Sequence, residues 1–319
     1  RSDLEWRPPL SSRTASIVSA CLLIGAFASL APAAEEVPVF DGQRAFEHLI
    51  AQCDLGPRPP GSEPLAALRT LIHDLARENG LSAVDLCFEA ASPLTGETVE
   101  LCNIVVSAGP PGGDRLWLGA HYDTRPVADQ DPDPAHRDQP ILGANDGASG
   151  VAVLMHLIEL FGAQAPPGGV DLIFFDGEDS GITGKPRTFC LGSARLAATW
   201  QDFGSPLAGG TPTGLIVLDM VGREGLMIPQ EAYSLRYAPD FTRRVFDRAA
   251  LLGLGAFVPA RGPVVFDDHV PFLEAGIPAV DLIDFDFPEW HTVADTPAAC
   301  SAESLRQVGV LVTDLIYRP

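Results

Sequence analysis

Apolar and polar positions along this chain alternate between two periods. Helical spacing runs through 43–53 and 63–78. Between them Leu55-Gly56-Pro57-Arg58-Pro59-Pro60-Gly61 reads as a rigid loop defined by Pro and Gly. Runs of β-branched and apolar residues at 82–88, 99–107 and 115–120 predict strands. The centre then alternates: helix 148–161 before strand 170–175, helix 192–200 before strand 214–218, and helix 241–252 before a short segment at 264–266 and a strand at 277–283. A last helix over 302–316 carries Leu305, Val308, Val312 and Leu315 as its buried stripe, with Ser301 as N-cap. Strands alternating with helices predict an α/β fold, a three-layer αβα sandwich with a mixed, largely parallel central sheet.

The N-terminus follows another pattern. Arg7 and Arg13 precede an apolar run over 17–30, and Ala31-Pro32-Ala33 fits the small-x-small rule for signal cleavage. This predicts a signal peptide or N-terminal anchor over 1–33, a short linker over 34–41, and one catalytic domain over 42–319. The run is too short for a comfortable spanning helix. The expected location is therefore outside the cytoplasm, periplasmic or extracellular, with membrane anchorage as the alternative.

Composition narrows the classes. The 319 residues are 46% hydrophobic, enough for one sizeable core. The net charge of -21 excludes a nucleic-acid surface, which needs a basic stripe. The same acidic excess can steer cationic peptide N-termini toward the protein, or merely aid solubility. Beyond the leader stand Cys53, Cys87, Cys102, Cys190 and Cys300. Cys87 and Cys102 lie on two strand-like runs joined by a turn near Pro93–Gly96, which makes them plausible cross-strand disulfide partners. No Cys-x-x-Cys is present, so a cysteine zinc site is not expected.

The chemistry-bearing residues sit where predicted strands end. His121-Tyr122-Asp123 follows one strand, Asp176-Gly177-Glu178-Asp179 the next, and Asp219 the next. Asp281 ends the run through Val280, with Trp290-His291 shortly after, and Asn145-Asp146 precedes a helix opening in Gly147-Ala148-Ser149-Gly150. Open α/β sheets bind ligands in the crevice beyond the carboxyl ends of their strands. Each piece alone has a plainer reading. Asp146 would be a helix N-cap, His121 a structural histidine, Glu178-Asp179 a solvated acidic turn, and Asp267-Asp268-His269 the cap of a short helix. His48, His73, His136 and His156 read as structural. Together, so many acids in one crevice would repel one another without a cation, which argues for a metal.

The pieces His121-Tyr122-Asp123, Gly143-Ala144-Asn145-Asp146, Phe174 to Asp179, Leu191-Gly192-Ser193, Leu218 to Gly222, Asp267 to Phe272 and Phe287 to Thr292 occur in this order. As a set they resemble the zinc aminopeptidase-like superfamily, and within it most closely the glutaminyl-peptide cyclotransferases. The resemblance runs from about residue 42 to the end. It implies one zinc held by Asp146, Asp179 and His291, with Glu178 as general acid/base. Asp219 and Asp267 would form a carboxylate relay with Glu178, and Phe287 and Trp290 would line the pocket for a glutamine side chain. The implied reaction converts the N-terminal glutamine of peptides to pyroglutamate and releases ammonia.

The sequence departs from that pattern at several points. Asp179 stands where animal cyclases have Glu, Asp281 where they carry a pocket histidine, and 180–189 is unlike theirs. The alternative is a two-zinc aminopeptidase, in which His121 and Asp219 would bind a second zinc and Asp146 would bridge. A third possibility is a binding module on the same fold, which should have lost a ligand or the base. Here Asp146, Glu178, Asp179 and His291 are all intact.

Overall fold

The computed structural model describes residues 37–203 and 209–319, so the expected leader over 1–33 lies outside the described residues. Six strands form one mixed sheet: β1 (Ser82–Ala91), β2 (Thr98–Ala108), β3 (Asp114–His121), β4 (Gly169–Phe175), β5 (Thr211–Asp219) and β8 (Ala279–Ile283), in the order β1-β2-β4-β3-β5-β8. β1 pairs with β2, and β2 with β4, antiparallel; β4, β3, β5 and β8 run parallel. The parallel strands read as near-continuous apolar runs because both faces are covered.

Alternate residues of these strands enter two different cores. Leu118, Ala120, Leu172, Phe174, Ile216, Leu218, Val280 and Leu282 pack against α1 (Gly42–Asp54), α2 (Glu63–Glu78), α3 (Ala148–Ala163), α6 (Pro239–Leu251) and α8 (Ala302–Tyr317). Trp117, Ile173, Phe175, Leu215, Val217 and Ala279 face the other way. There they meet Leu196 and Ala197 of α4 (Leu191–Thr199) and Phe272 of α7 (His269–Glu274). The expected three-layer sandwich is thus the observed one.

Local chemistry sets the helix ends. Asp41 accepts from Gln43 N at 2.9 Å to start α1, and Ser301 accepts from Ser304 N at 3.1 Å to start α8, as expected from its sequence. Asp146 does not cap α3. The cap is Gly147 at φ 99°, which leaves the Asp146 carboxylate available for other work. A Cβ on Gly147 would meet Asp123 O and the His121 ring, and one on Gly150 would collide with Leu218 O. The glycines that open α3 therefore let this helix press onto the ends of β3 and β5.

The short segment 264–266 borders a cavity through Val264, Val265 and Phe266. Two features differ from expectation. A two-stranded parallel sheet of β6 (Ile228–Gln230) and β7 (Phe257–Arg261), with α5 (Ala232–Tyr237) between them, was not expected. These pieces are short, and Pro229 and Pro259 interrupt any strand signal. Residues assigned to the linker also belong to the fold: Phe40 is buried against α8, and Asp41 caps α1. Cys87 and Cys102 lie directly opposite in the β1–β2 register and form a disulfide. With a sequence separation of 15, the closure is worth about 3 kcal/mol on chain-entropy grounds. None of the helices in the described residues is long and apolar enough to cross a membrane.

Candidate active site

Parallel register brings the carboxyl ends of β3, β4, β5 and β8 to one edge of the sheet. The ends of β3, β4 and β5 deliver His121, the turn carrying Glu178 and Asp179, and Asp219. The start of α3 adds Asp146, and the loop after β8 adds Phe285, Trp290 and His291. A cavity of about 290 Å³ opens among them, walled by Asp146, Glu178, Asp179, Asp219 and His291 on one side and by Met220, Val265, Ile283, Phe285 and Trp290 on the other.

Two groups of donors share Asp146. In the first, His291 Nε2 lies 3.2 Å from Asp179 Oδ1 and 3.6 Å from Asp146 Oδ2. In the second, His121 Nε2 lies 3.2 Å from both Asp146 Oδ1 and Asp219 Oδ1. Within each group one ligand atom per residue falls within 4.8 Å of the others. Asp146 Oδ2 and Asp179 Oδ2 are buried and accept no hydrogen bond, as oxygens reserved for a cation would be. Two carboxylates and an imidazole are a donor set that fits zinc.

The candidate ligands are held from behind. Asp295 accepts the N–H groups of Asn145 at 2.8 Å and Asp146 at 3.0 Å. Asp123 accepts those of Glu178 and Asp179, both at 3.1 Å. Asp129 Oδ1 sits 3.3 Å from His291 Nδ1, which orients the ring. Arg125 grips Asp129 through Nε at 2.7 Å and Nη2 at 3.0 Å, and places Nη1 3.3 Å from Asp179 Oδ1. Arg125 therefore ties the supports of two candidate ligands into one frame.

Burial and crowding set the charges. Burial opposes protonation of His291, but Asp179, Asp129 and Asp146 outweigh it and lift the ring to about 9. Burial likewise opposes protonation of His121, and hydrogen bonds to Asp123, Asp146 and Asp219 overcome it. Glu178 is pushed well above the carboxylate range by burial, with Asp179, Asp268 and Asp267 adding to the shift against an opposing His121. Burial, then the Asp219 charge, raises Asp267 to about 7. A bound cation would act in the opposite sense on all these acids.

Backbone strain concentrates here too. Among the described residues the non-glycine residues with positive φ are Cys190 at 60°, Met220 at 46° and His291 at 54°. Met220 and His291 border the cavity, and Cys190 touches Glu178. Each such residue costs about 1–3 kcal/mol unless its surroundings enforce it, and strain of this kind collects at functional sites.

The residues expected from sequence do not all converge. Glu178, Asp219, Asp267 and Trp290 border the cavity with the three proposed ligands. Phe287 and Asp281 are not on its wall. Phe287 is buried beneath it with Met220, Val265 and Ile283, and Phe285 takes the wall position. Asp281 shares the Ile283 face of β8 but sits two residues deeper in the strand, buried 3.7 Å from His269 Nδ1 and short of the cavity wall. Burial, followed by the charges of Asp267 and Glu231, pushes Asp281 well above the usual range. Within the expected relay, Asp267 lies with Glu178 and Cys190, whereas Asp219 hydrogen-bonds His121.

Sequence reasoning missed Arg125, Asp129, Cys190 and Asp295. Arg125 and Asp129 sit in a Pro/Asp-rich loop without periodicity, and only the Asp-Thr pair after His291 hinted at Asp295. The other histidines have structural partners: His156 accepts from Asp41 N at 3.1 Å and faces Glu159 at 2.9 Å, and His73 faces Asp85 at 2.7 Å. His48 lies 3.2 Å from Glu159, and His136 3.4 Å from Asp131.

Residues 103–316 match the sequence profile of Peptidase family M28. The chain belongs to Peptidase family M28. Its similar proteins are of two named kinds. It is 30% identical over 268 residues to a mouse glutaminyl-peptide cyclotransferase-like protein, covering 76% of this chain and 66% of the mouse one. The chain thus spans just under two thirds of that relative's length. Among solved structures, glutaminyl cyclase of Bacteroides thetaiotaomicron bound to N-acetylhistamine superposes with a TM-score of 0.83 at 34% identity, covering 89% of this chain and 100% of that one. A leucine aminopeptidase precursor from the same organism gives the same TM-score and identity, covering 89% of this chain and 99% of that one. The fold is therefore that of the M28 zinc exopeptidase-like enzymes, and its relatives span both readings of the chemistry.

Proposed function

We propose that this protein is an exported glutaminyl-peptide cyclotransferase that uses one zinc, held by Asp146, Asp179 and His291. The observation that carries the reading is the cavity itself. It is small, its far wall is apolar through Ile283, Phe285 and Trp290, and its near wall is the acidic cluster with Glu178. Such a space suits one folded glutamine residue rather than an extended peptide. The arginine-preceded leader and the Cys87–Cys102 disulfide support export.

Cyclisation joins the α-amine of the substrate to its own side-chain carboxamide carbon, forming a C–N bond and expelling ammonia. Trp290 stacks on His291 with ring centroids 3.8 Å apart, which fixes both the wall and the ligand. The apolar wall excludes water that would compete with the amine. Glu178 would take a proton from the attacking amine and return it to the departing nitrogen, so its carboxylate is regenerated in each cycle. Asp267 beside it keeps this carboxyl in a crowded acidic setting in which a proton is readily held. Zinc, when bound, would supply Lewis-acid polarisation of the carboxamide carbonyl. Since both reacting groups belong to one residue, most of the enzyme's contribution is orientation and charge stabilisation.

One observation favours a second reading. His121, Asp146 and Asp219 complete a second donor group, as a two-zinc aminopeptidase would require. Incubation with Gln-initiated and Leu-initiated peptides separates the two. Cyclisation predicts ammonia and a pyroglutamyl peptide from the first and no free amino acid from the second. Free leucine without ammonia release would overturn the cyclase reading.

A further inference from the structure

Cys190 has no part in the reaction as described so far, yet it holds Glu178 at two points. Its backbone N–H donates to Glu178 O at 3.0 Å, and its thiol donates to Glu178 Oε1 at 3.4 Å. No other hydrogen bond from the described residues reaches the Glu178 carboxylate, which leaves Oε2 without a protein donor. The grip depends on Cys190 standing in the left-handed region at φ 60°, immediately before α4. The neighbouring Leu191 N–H adds a bond to Gly177 O at 3.3 Å, so the base of segment 180–189 is pinned beneath the glutamate. That segment carries Thr183, Pro186 and Phe189 on the cavity wall.

We infer that Cys190 is a positioning residue for Glu178, its thiol fixing Oε1 so that Oε2 is presented to the substrate. This rests on the reading of Glu178 as the proton-transferring group. Cys190 is fully buried, so it acts through Glu178 and does not touch substrate. Serine and alanine keep the same Cβ at the strained position, but only serine keeps a donor.

The test compares Cys190→Ala and Cys190→Ser for kcat, KM and zinc content. Losing one orienting hydrogen bond on a group that acts in the transition state should lower kcat about tenfold in the alanine variant, with KM and zinc unchanged. Serine should restore kcat to within about threefold of the parent. An alanine variant with unchanged kcat overturns the inference. So does a serine variant as slow as alanine, because the defect would then be packing alone. If alanine does not fold, serine decides alone: a kcat within about threefold of the parent, with KM and zinc unchanged, supports the inference, and a kcat about tenfold lower overturns it. Should the parent hydrolyse Leu-initiated peptides instead of cyclising glutamine, the cyclase reading fails separately. The same kcat ratios, read on hydrolysis, still decide the role of Cys190, because Glu178 is the base in either reaction.

Discussion

The two ends of the sheet treat buried acid in opposite ways. At the amino end Asp171 is fully buried, and its oxygens are saturated. Arg115 reaches them at 2.6 and 2.8 Å, Trp117 Nε1 at 2.9 Å and Ser107 Oγ at 2.5 Å. At the carboxyl end Asp146, Asp179, Asp267 and Asp268 are as deeply buried, yet each has an oxygen that accepts no hydrogen bond. A buried carboxylate with every lone pair occupied is a structural element, whereas a cluster with oxygens left over is arranged for something that arrives. The contrast separates Asp171, which binds the fold together, from the acids proposed to serve the site.

Substitutions at each end test that contrast. Asp179→Asn removes one charge from the ligand set without changing its size. Zinc should be lost on dialysis and turnover should fall on the order of 10³-fold, checked by metal analysis and steady-state kinetics. Asp171→Asn should do the reverse. Breaking the buried Arg115 pair should remove about 3–5 kcal/mol of stability by denaturant unfolding, while the folded fraction keeps its zinc and its kcat. If Asp171→Asn loses zinc, the two ends are not separable as described.

Smaller effects sharpen the picture. Asp129→Asn should weaken zinc about 10- to 100-fold in a competition titration, since this carboxylate orients His291 without touching the metal. Asp176 lies between the two classes: Oδ2 accepts from Cys102 N at 2.8 Å, and Oδ1 is buried without a partner. Burial, then the charge of Asp123, raises it to about 8. The folded value lies above the unfolded one. Its contribution to stability is therefore complete below the ordinary aspartate range and is lost as pH rises toward about 8. The melting temperature of metal-free protein should fall between pH 5 and 8, roughly the window that linkage assigns, and Asp176→Asn should flatten that slope.

Much of this was legible in the sequence because it rests on local signals. The alternating strands and helices, the Ser301 cap and the acids at strand ends follow from period, punctuation and residue type. The Cys87–Cys102 disulfide followed from two strand-like runs around one turn. What stayed hidden depends on distant contacts. Phe285 rather than Phe287 on the cavity wall is decided by how the loop after β8 folds over Met220. Asp281 stays off the wall because it lies two residues deeper than Ile283 on the same face of β8, beside the distant His269. Asp129 and Arg125 act only because a Pro/Asp-rich loop with no period of its own lies against His291 and Asp179. The short β6 and β7 strands exist through each other, not through their own propensity.

The most direct test of the central claim separates holding the metal from doing the chemistry. Glu178→Gln should be purified and measured for zinc content and for ammonia release from a Gln-initiated peptide. The account predicts that zinc stays bound through Asp146, Asp179 and His291 while turnover is almost abolished. A variant that keeps its zinc and stays fully active would contradict it.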